Sequence, residues 1–248
     1  MSTRTTPRPH ADTALPPIVS QEEWDAARAE LLEVEKAHTR AMDAVAAKRR
    51  RLPMVEVDGT LELVGTDGKV TLLDVFEGRR QLVMYHHMLK PDDDAPCGGC
   101  SMFTDHVPTH LSHFNALDVT FAMEAAAPID EFRAYMQRMD RTDIPVWSSD
   151  GTGTREAIHP SPHGPGSFGL SVFVRDGERV FRTYATQGRG VDGVPLIDMT
   201  VFGRQETFED SPEGWPQHPT YSFGRLHDEY SADELAGLAA SSTTGETA

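Results

Sequence analysis

The feature that most constrains this chain is the pair Cys97 and Cys100, separated by two glycines and the only cysteines among 248 residues. The apolar run at residues 82–85 before them is typical of a buried strand, and the segment after them has a helical pattern. Two thiols at this spacing can close a disulfide ring or hold one metal ion. The residues alone leave both alternatives open.

Charge and hydropathy exclude several classes of partner. With 23 basic and 39 acidic residues the formal net charge is -16, which argues against nucleic acid or an anionic membrane as a partner. No apolar run reaches the length of a membrane span, and the first residues lack the apolar core of a secretory signal. We therefore expect a cytoplasmic protein, where a lone cysteine pair is more often redox-active or metal-bound than structural.

A long amphipathic helix is predicted near the start of the chain. Ser20 and Glu23 form a capping-box pattern, and Pro53 stops the helix. A stripe then recurs at alternating three- and four-residue steps: Trp24, Ala27, Leu31, Val34, His38, Ala41 and Val45. The stripe packs either on its own domain or on a second copy in a homodimer, because a/d spacing over three heptads suits helix pairing.

The domain organisation follows from these patterns. Residues 1–19 predict a disordered arm, residues 20–52 the amphipathic helix, residues 53–235 the main domain and residues 236–248 a disordered tail. In the main domain, strands are expected at residues 54–57, 61–64, 81–87, 118–124 and 144–147, with a hairpin at 171–175 and 180–184. Helices are expected at residues 70–76, 100–114 with a kink at Pro108, and 129–139, and a long loop at 149–167.

This alternation predicts an α/β fold with a βαβ unit and a closing antiparallel hairpin. A cysteine pair just after the first strand of such a unit is typical of thioredoxin-like proteins. In sheets of this kind, sites lie outside the carboxyl ends of the parallel strands. Cys97 is expected there.

Several short motifs spread over residues 23–230 resemble one family. They are Glu23-Trp24, Arg50-Arg51-Leu52-Pro53, Tyr85-His86-His87-Met88, Cys97-Gly98-Gly99-Cys100-Ser101, Arg138-Met139, Trp147-Ser148-Ser149, Phe181-Arg182-Thr183-Tyr184-Ala185-Thr186-Gln187-Gly188-Arg189-Gly190 and Gly203-Arg204-Gln205-Glu206. In combination they resemble the thioredoxin-like family classed as domain of unknown function 899, whose members are labelled predicted dithiol-disulfide oxidoreductases.

The resemblance implies a thioredoxin-like fold with a redox pair, and it brings no established substrate. Where thioredoxins carry a cis-proline, before the hairpin strand, this chain has Phe168 and Gly169. The usual surface that grips an extended polypeptide is therefore not implied. We expect a small-molecule or thiol substrate, with no nucleic acid and no membrane as a partner.

In the dithiol interpretation Cys97 is the nucleophile, because the start of a helix favours its thiolate. Cys100, one turn further on and more buried, would attack the mixed disulfide and release the product. This interpretation needs no cofactor. It predicts an oxidoreductase acting by thiol-disulfide or peroxide-type chemistry.

The alternative to a metal-free dithiol is a metal site that includes histidines. His86 and His87 end the strand that points at the cysteines, and strand alternation lets at most one of them readily reach Cys97. Two thiolates, one imidazole and Met88 would suit copper, or zinc with a fourth ligand, and copper-handling thioredoxin-like proteins offer an analogy. Three further histidines share one face of an ideal helix but lie too far from the cysteines to share one ion: His106, His110 and His113.

Three other residues are candidates for substrate binding: Arg189, Trp147 and Tyr85. Arg189 lies between two glycines, which either present its side chain at a cleft or form a simple turn. Trp147 at a strand end either walls the site or belongs to the core. A third class of function, a redox-inert assembly protein built on the long helix, also remains open.

Overall fold

The computed structural model describes residues 16–93, 96–161, 164, 166–187 and 231–236, and it contains both helices and strands. In chain order the elements are α1 (Gln21–Arg50), β1 (Val55–Val57), β2 (Glu62–Gly65), β3 (Gly68–Thr71), a 3-10 helix (Asp74–Phe76), β4 (Gln81–His87), α2 (Gly98–His106), α3 (Ser112–Ala116), β5 (Val119–Ala125), α4 (Ile129–Arg138), β6 (Val146–Ser148), α5 (Arg155–Ile158), β7 (Gly169–Asp176), β8 (Arg179–Thr186) and α6 (Ala232–Ala236). The chain divides into two compact units, residues 1–42 and 43–248.

Helix α1 begins at the predicted capping box. The Ser20 hydroxyl and backbone N–H both donate to the Glu23 carboxylate, at 2.8 and 2.9 Å, and the Glu23 N–H donates back to the hydroxyl. These bonds satisfy backbone donors that a helix start leaves free. The hydrogen bond from the Ser20 N–H also lowers the pKa of Glu23.

The sheet of the second unit has eight strands in the order β1-β8-β7-β4-β5-β6-β2-β3. Strands β4, β5 and β6 are parallel, whereas β7 runs antiparallel to β4 and pairs with β8 as a hairpin. Helix α2 lies between β4 and β5 along the chain, which completes the βαβ unit. This order of a parallel pair beside an antiparallel hairpin confirms the predicted thioredoxin-like fold.

Alternation along β4 sends its side chains into two separate cores. Val83 and Tyr85 belong to a cluster that includes Cys100 and residues of helices α2, α3 and α4. Leu82 and Met84 belong to the other cluster, with the 3-10 helix and α5. Every residue of β4 and β5 is buried, which for β4 was predicted from the apolar run at residues 82–85.

The helix predicted at residues 100–114 is wrong in its length. The structure has two helices there, and α2 ends at His106 because Val107 takes an extended conformation before Pro108. The proline cannot donate to a continuing helix. His106, His110 and His113 therefore do not share one helix face.

The helix predicted at residues 70–76 is also wrong in part. Gly68, at φ 116°, makes the turn that lets β3 pair back on β2, so the segment through Thr71 is a strand. Helical structure begins only at Asp74, whose carboxylate accepts from the N–H and hydroxyl of Thr71 at 2.8 and 2.7 Å. The predicted loop at residues 149–167 contains one short helix, α5.

Several predictions fall outside the described residues. They include most of the arm at residues 1–19, residues 188–230 of the main domain with Arg189, and most of the tail. Within the described part of the chain, no helix is long and apolar enough to cross a membrane.

The start of β7 leaves no room for a side chain, which gives a first test of the packing. A Cβ added to Gly169 would lie 2.5 Å from the His159 ring and 2.8 Å from the carbonyl oxygen of Thr186. We expect Gly169→Ala to lower the free energy of unfolding by about 1–3 kcal/mol in chemical denaturation, because the backbone atom cannot move aside cheaply.

Gly98→Ala is the matched control, since nothing lies within 4 Å of a Cβ placed at Gly98. We expect its unfolding midpoint to equal or exceed that of the unchanged protein, because alanine favours helix over glycine. Equal stability of the two alanine variants would contradict the packing at Gly169.

Candidate active site at the cysteine pair

The cysteines lie at the carboxyl end of β4, where helix α2 begins. Cys97 is the N-cap residue of α2, and its carbonyl oxygen accepts from the N–H of Ser101 at 3.0 Å. Both cysteines are free thiols; Cys97 is partly exposed, whereas Cys100 is 1% exposed. The two sulfurs therefore differ sharply in their access to a substrate.

Cys100 is held as a neutral thiol. Burial, together with the contact with the Cys97 sulfur, raises its pKa to about 11, although hydrogen bonds from the Tyr85 hydroxyl and the Met88 N–H oppose the shift. At neutral pH, Cys100 is protonated. Any attack on an external substrate must come from the partly exposed Cys97.

Tyr85 connects the sheet to the dithiol. Its ring stacks on Phe103 of α2 with centroids 4.0 Å apart, and its hydroxyl interacts with the Cys100 sulfur. The side chain is 1% exposed. It was predicted to bind substrate, and the structure instead places it behind the second cysteine.

His87 lies on the same face of β4 as Tyr85. Its ring is fully buried and contacts the rings of Tyr85, Phe132 and Tyr135, with centroids 6.1, 5.7 and 4.9 Å away. Neither ring nitrogen has a hydrogen-bond partner among the described residues. Burial, with the positive charge of Arg155, lowers the pKa of His87 to about 4, so the ring is neutral at pH 7.

His86 points to the opposite face and joins a buried polar network. Its Nδ1 lies 2.7 Å from Glu124 and its Nε2 lies 2.9 Å from the Ser171 hydroxyl. Glu124 also accepts from Arg155 at 2.7 Å and from the Ser149 hydroxyl. Burial alone would raise the pKa of Glu124, but the bond from His86 and the charge of Arg155 lower it to about 2.

The same network holds the segment between β6 and β7. Arg155 donates to the carbonyl oxygens of His87 and Ser167 at 3.2 and 3.0 Å. His159 stacks on His86 with centroids 4.2 Å apart, and its Nε2 lies 3.1 Å from the Ser167 carbonyl. Glu124, His86 and Ser171 contact one another in the order of a hydrolytic triad. All three are fully buried, so a substrate cannot reach them.

The structure separates one residue of the predicted metal site, His86, from the cysteines. Both nitrogens of His86 are engaged, and its ring lies across the sheet from Cys97 and Cys100. Within the described residues, no group of three or more His, Cys, Asp or Glu side chains is placed to hold a metal ion. In the described part of the chain the cysteines, His86 and His87 are therefore not grouped as one ligand set, and copper or zinc binding by these residues stays a prediction.

Trp147 and Arg189 are the other two predicted substrate-binding residues. Trp147 packs against the core cluster on the side of Leu82 and lines a cavity of about 740 Å³ with Gly65 and Gln137. Arg189 lies outside the described residues. A smaller cavity of about 350 Å³ is lined by Pro96, next to Cys97 in sequence, together with Tyr135 and Arg138.

Sequence reasoning missed the network around Glu124. One signal was present: Glu124 interrupts an apolar strand, and a charge in a fully buried strand requires a buried partner. The partner itself could not be named, because Arg155 is 31 residues away in a segment without periodicity.

The network gives a test of what holds the strand ends together. We expect Glu124→Gln to lower the free energy of unfolding by about 3–5 kcal/mol, because it leaves the Arg155 charge buried without its carboxylate. Glu56→Gln is the matched control, since Glu56 pairs with Arg179 in an exposed ion pair and should change stability little. Equal small effects in urea titrations of both variants would contradict the network.

The buried neutral imidazole of His87 gives a test against pH. Its pKa rises from about 4 in the folded protein to about 6.5 on unfolding, so acid favours the unfolded state. The stability that this contributes is complete above pH 6.5 and is lost as the pH falls towards 4, up to about 3 kcal/mol.

We expect His87→Leu, of similar volume, to lose less stability than the unchanged protein between pH 6.5 and pH 4 in denaturant titrations. His110→Leu is a control, because His110 is exposed in the connection between α2 and α3. Identical pH profiles for His87→Leu and the unchanged protein would show that the imidazole is not buried as described.

Residues 13–230 match the family described as bacterial protein of unknown function (DUF899). The solution structure of the apo Sco1 protein from Thermus thermophilus is similar to this chain at 15% identity and a TM-score of 0.33, covering 58% of this chain and 88% of that one. No curated protein matches. The chain belongs to the DUF899 family of bacterial proteins of unknown function.

Proposed function

We propose that the protein is a dithiol oxidoreductase whose Cys97 and Cys100 alternate between two thiols and a disulfide. The observation that carries this proposal is the contrast between the two sulfurs at the start of α2. Cys97 is partly exposed, and Cys100 is buried, protonated and in contact with the Cys97 sulfur. An accessible attacking thiol with a buried resolving thiol beside it is the arrangement that disulfide exchange requires.

The proposed cycle begins when the Cys97 thiolate attacks a disulfide or a hydroperoxide. Attack on a disulfide forms a mixed disulfide and expels a thiolate, whereas attack on a hydroperoxide forms a sulfenic acid and expels the alcohol or water after protonation. Cys100 then attacks the Cys97 sulfur and expels the second thiol or water. An external thiol reductant restores the dithiol.

The electrostatics of Cys100 supports this order of events. The Cys97 sulfur raises the pKa of Cys100 both by its hydrogen bond and by its charge. Once Cys97 is bonded to a substrate that charge is gone, so the pKa of Cys100 falls. The Tyr85 hydroxyl and the Met88 N–H then stabilise the emerging thiolate.

The cavity beside Pro96 supports one class of substrate. The cavity of about 350 Å³ beside Pro96 is lined by both acidic and basic side chains, including Asp93 and Arg138. A cavity of this size suits a small polar disulfide, thiol or hydroperoxide. We propose such a small molecule as the substrate, and the proposal involves no cofactor.

The two cysteines are tested separately. We expect Cys97→Ser to lose at least 100-fold in the reduction of glutathione disulfide or hydrogen peroxide with dithiothreitol as reductant, because serine is not a nucleophile at neutral pH. Cys100→Ser should still undergo the first step and accumulate one glutathione adduct or one sulfenic acid, detected by intact mass and dimedone labelling.

Met102→Ala is the control, because Met102 lies exposed on the same helix and its loss should leave the rates unchanged. Full activity of Cys97→Ser in both assays would refute the dithiol proposal.

A further inference from the structure

We propose that α1 pairs in antiparallel orientation with α1 of a second copy of this chain. The stripe along α1 is exposed in the structure, with exposed fractions of 54% for Trp24, 51% for Leu31, 65% for Val34 and 44% for Val45. The small stripe residues Ala27 and Ala41 are exposed too. A helix of 30 residues therefore carries a continuous apolar seam in contact with water.

The spacing of the seam fits another helix. Its residues recur at three- and four-residue steps from Trp24 to Val45, which are the a and d positions of three heptads. Such a seam follows one side of a helix and is covered well by a second helix crossing at a small angle. The only buried residues of α1 are Asp43, Ala46 and Ala47, none of which belongs to the seam.

The charges of α1 identify both the occupant and its direction. Residues 21–35 contain six acidic side chains and one basic one, whereas residues 36–50 contain five basic side chains and one acidic one. An antiparallel copy places each acidic half beside a basic half, and it also aligns the helix dipoles favourably. A parallel copy would place like charges together, and an anionic membrane would repel the acidic half.

An antiparallel pair in which each a position faces a d position also matches the sizes of the seam residues. Ala27 then lies opposite Val45, Leu31 opposite Ala41, and Val34 opposite His38. In two of these three pairs a larger side chain thus meets an alanine. One polar residue in such a seam, His38, is a usual device for favouring a single register.

The charge pattern permits a test that changes no seam residue. We expect the unchanged protein, at 27.4 kDa per chain, to sediment as a dimer. Two variants reverse exposed charges in opposite halves: Glu30→Lys with Glu33→Lys, and Arg40→Glu with Lys48→Glu. Each alone should dimerise at least tenfold more weakly, because its altered half meets a like-charged half.

An equal mixture of the two variants should recover the affinity of the unchanged protein, because each altered half then meets an opposite charge. Tighter dimers of the Glu30→Lys, Glu33→Lys variant alone would show parallel pairing and refute the orientation. A monomeric unchanged protein, or dimers that respond to none of these changes, would overturn the proposal.

The seam itself is tested by Leu31→Ser with Val34→Ser, which keeps the charge of the helix. We expect this variant to be monomeric in sedimentation while its thiol activity stays unchanged, since both residues are exposed on α1. Ala29→Ser with Lys36→Arg, across the helix from the seam, is the control and should stay dimeric. A dimeric seam variant would refute the interface and leave the dithiol proposal intact.

Discussion

The buried charge of Glu124 is the constraint on which the rest of the second unit depends. A carboxylate without solvent contact is costly unless positive charge and hydrogen bonds surround it. Its partners come from β4, from the turn after β6 and from α5, so pairing them sets where three separate segments meet. The same contacts hold the carboxyl ends of β4 and β5 in register, and the loop that carries Cys97 leaves from the first of these ends.

Strand alternation places the neighbouring residues His86 and His87 in two different environments. His86 faces the Glu124 network, and His87 faces the aromatic rings around the dithiol, because successive side chains of a strand point to opposite faces. A shift of one residue in β4 would exchange their places and move Tyr85 away from Cys100. The polar network on one face therefore fixes which groups can touch the sulfur on the other.

Much of this architecture could be predicted from the sequence. The capping box of α1, the apolar run of β4 and the closing hairpin are local patterns, and local patterns predict local structure. The sequence predicted a kinked helix across Pro108, whereas α2 ends at His106. A proline is compatible with either a kink or a helix end, and the packing around it decides which of the two forms. Alternation showed that His86 and His87 face opposite ways, but not which of them faces α2, since that depends on how the whole sheet is covered.

The dithiol illustrates how a site without charged neighbours between its cysteines can still be tuned. Gly98 and Gly99 contribute no side chains, so the pKa of Cys100 is set by burial, by the Cys97 sulfur, and by the Tyr85 hydroxyl and the Met88 N–H behind it. Both donate hydrogen bonds, which favour a thiolate over a thiol, and both bonds would weaken once that sulfur enters a disulfide. Under the proposed cycle, the two hydrogen bonds from the sheet side therefore stabilise the Cys100 thiolate of the reduced pair more than they stabilise the disulfide.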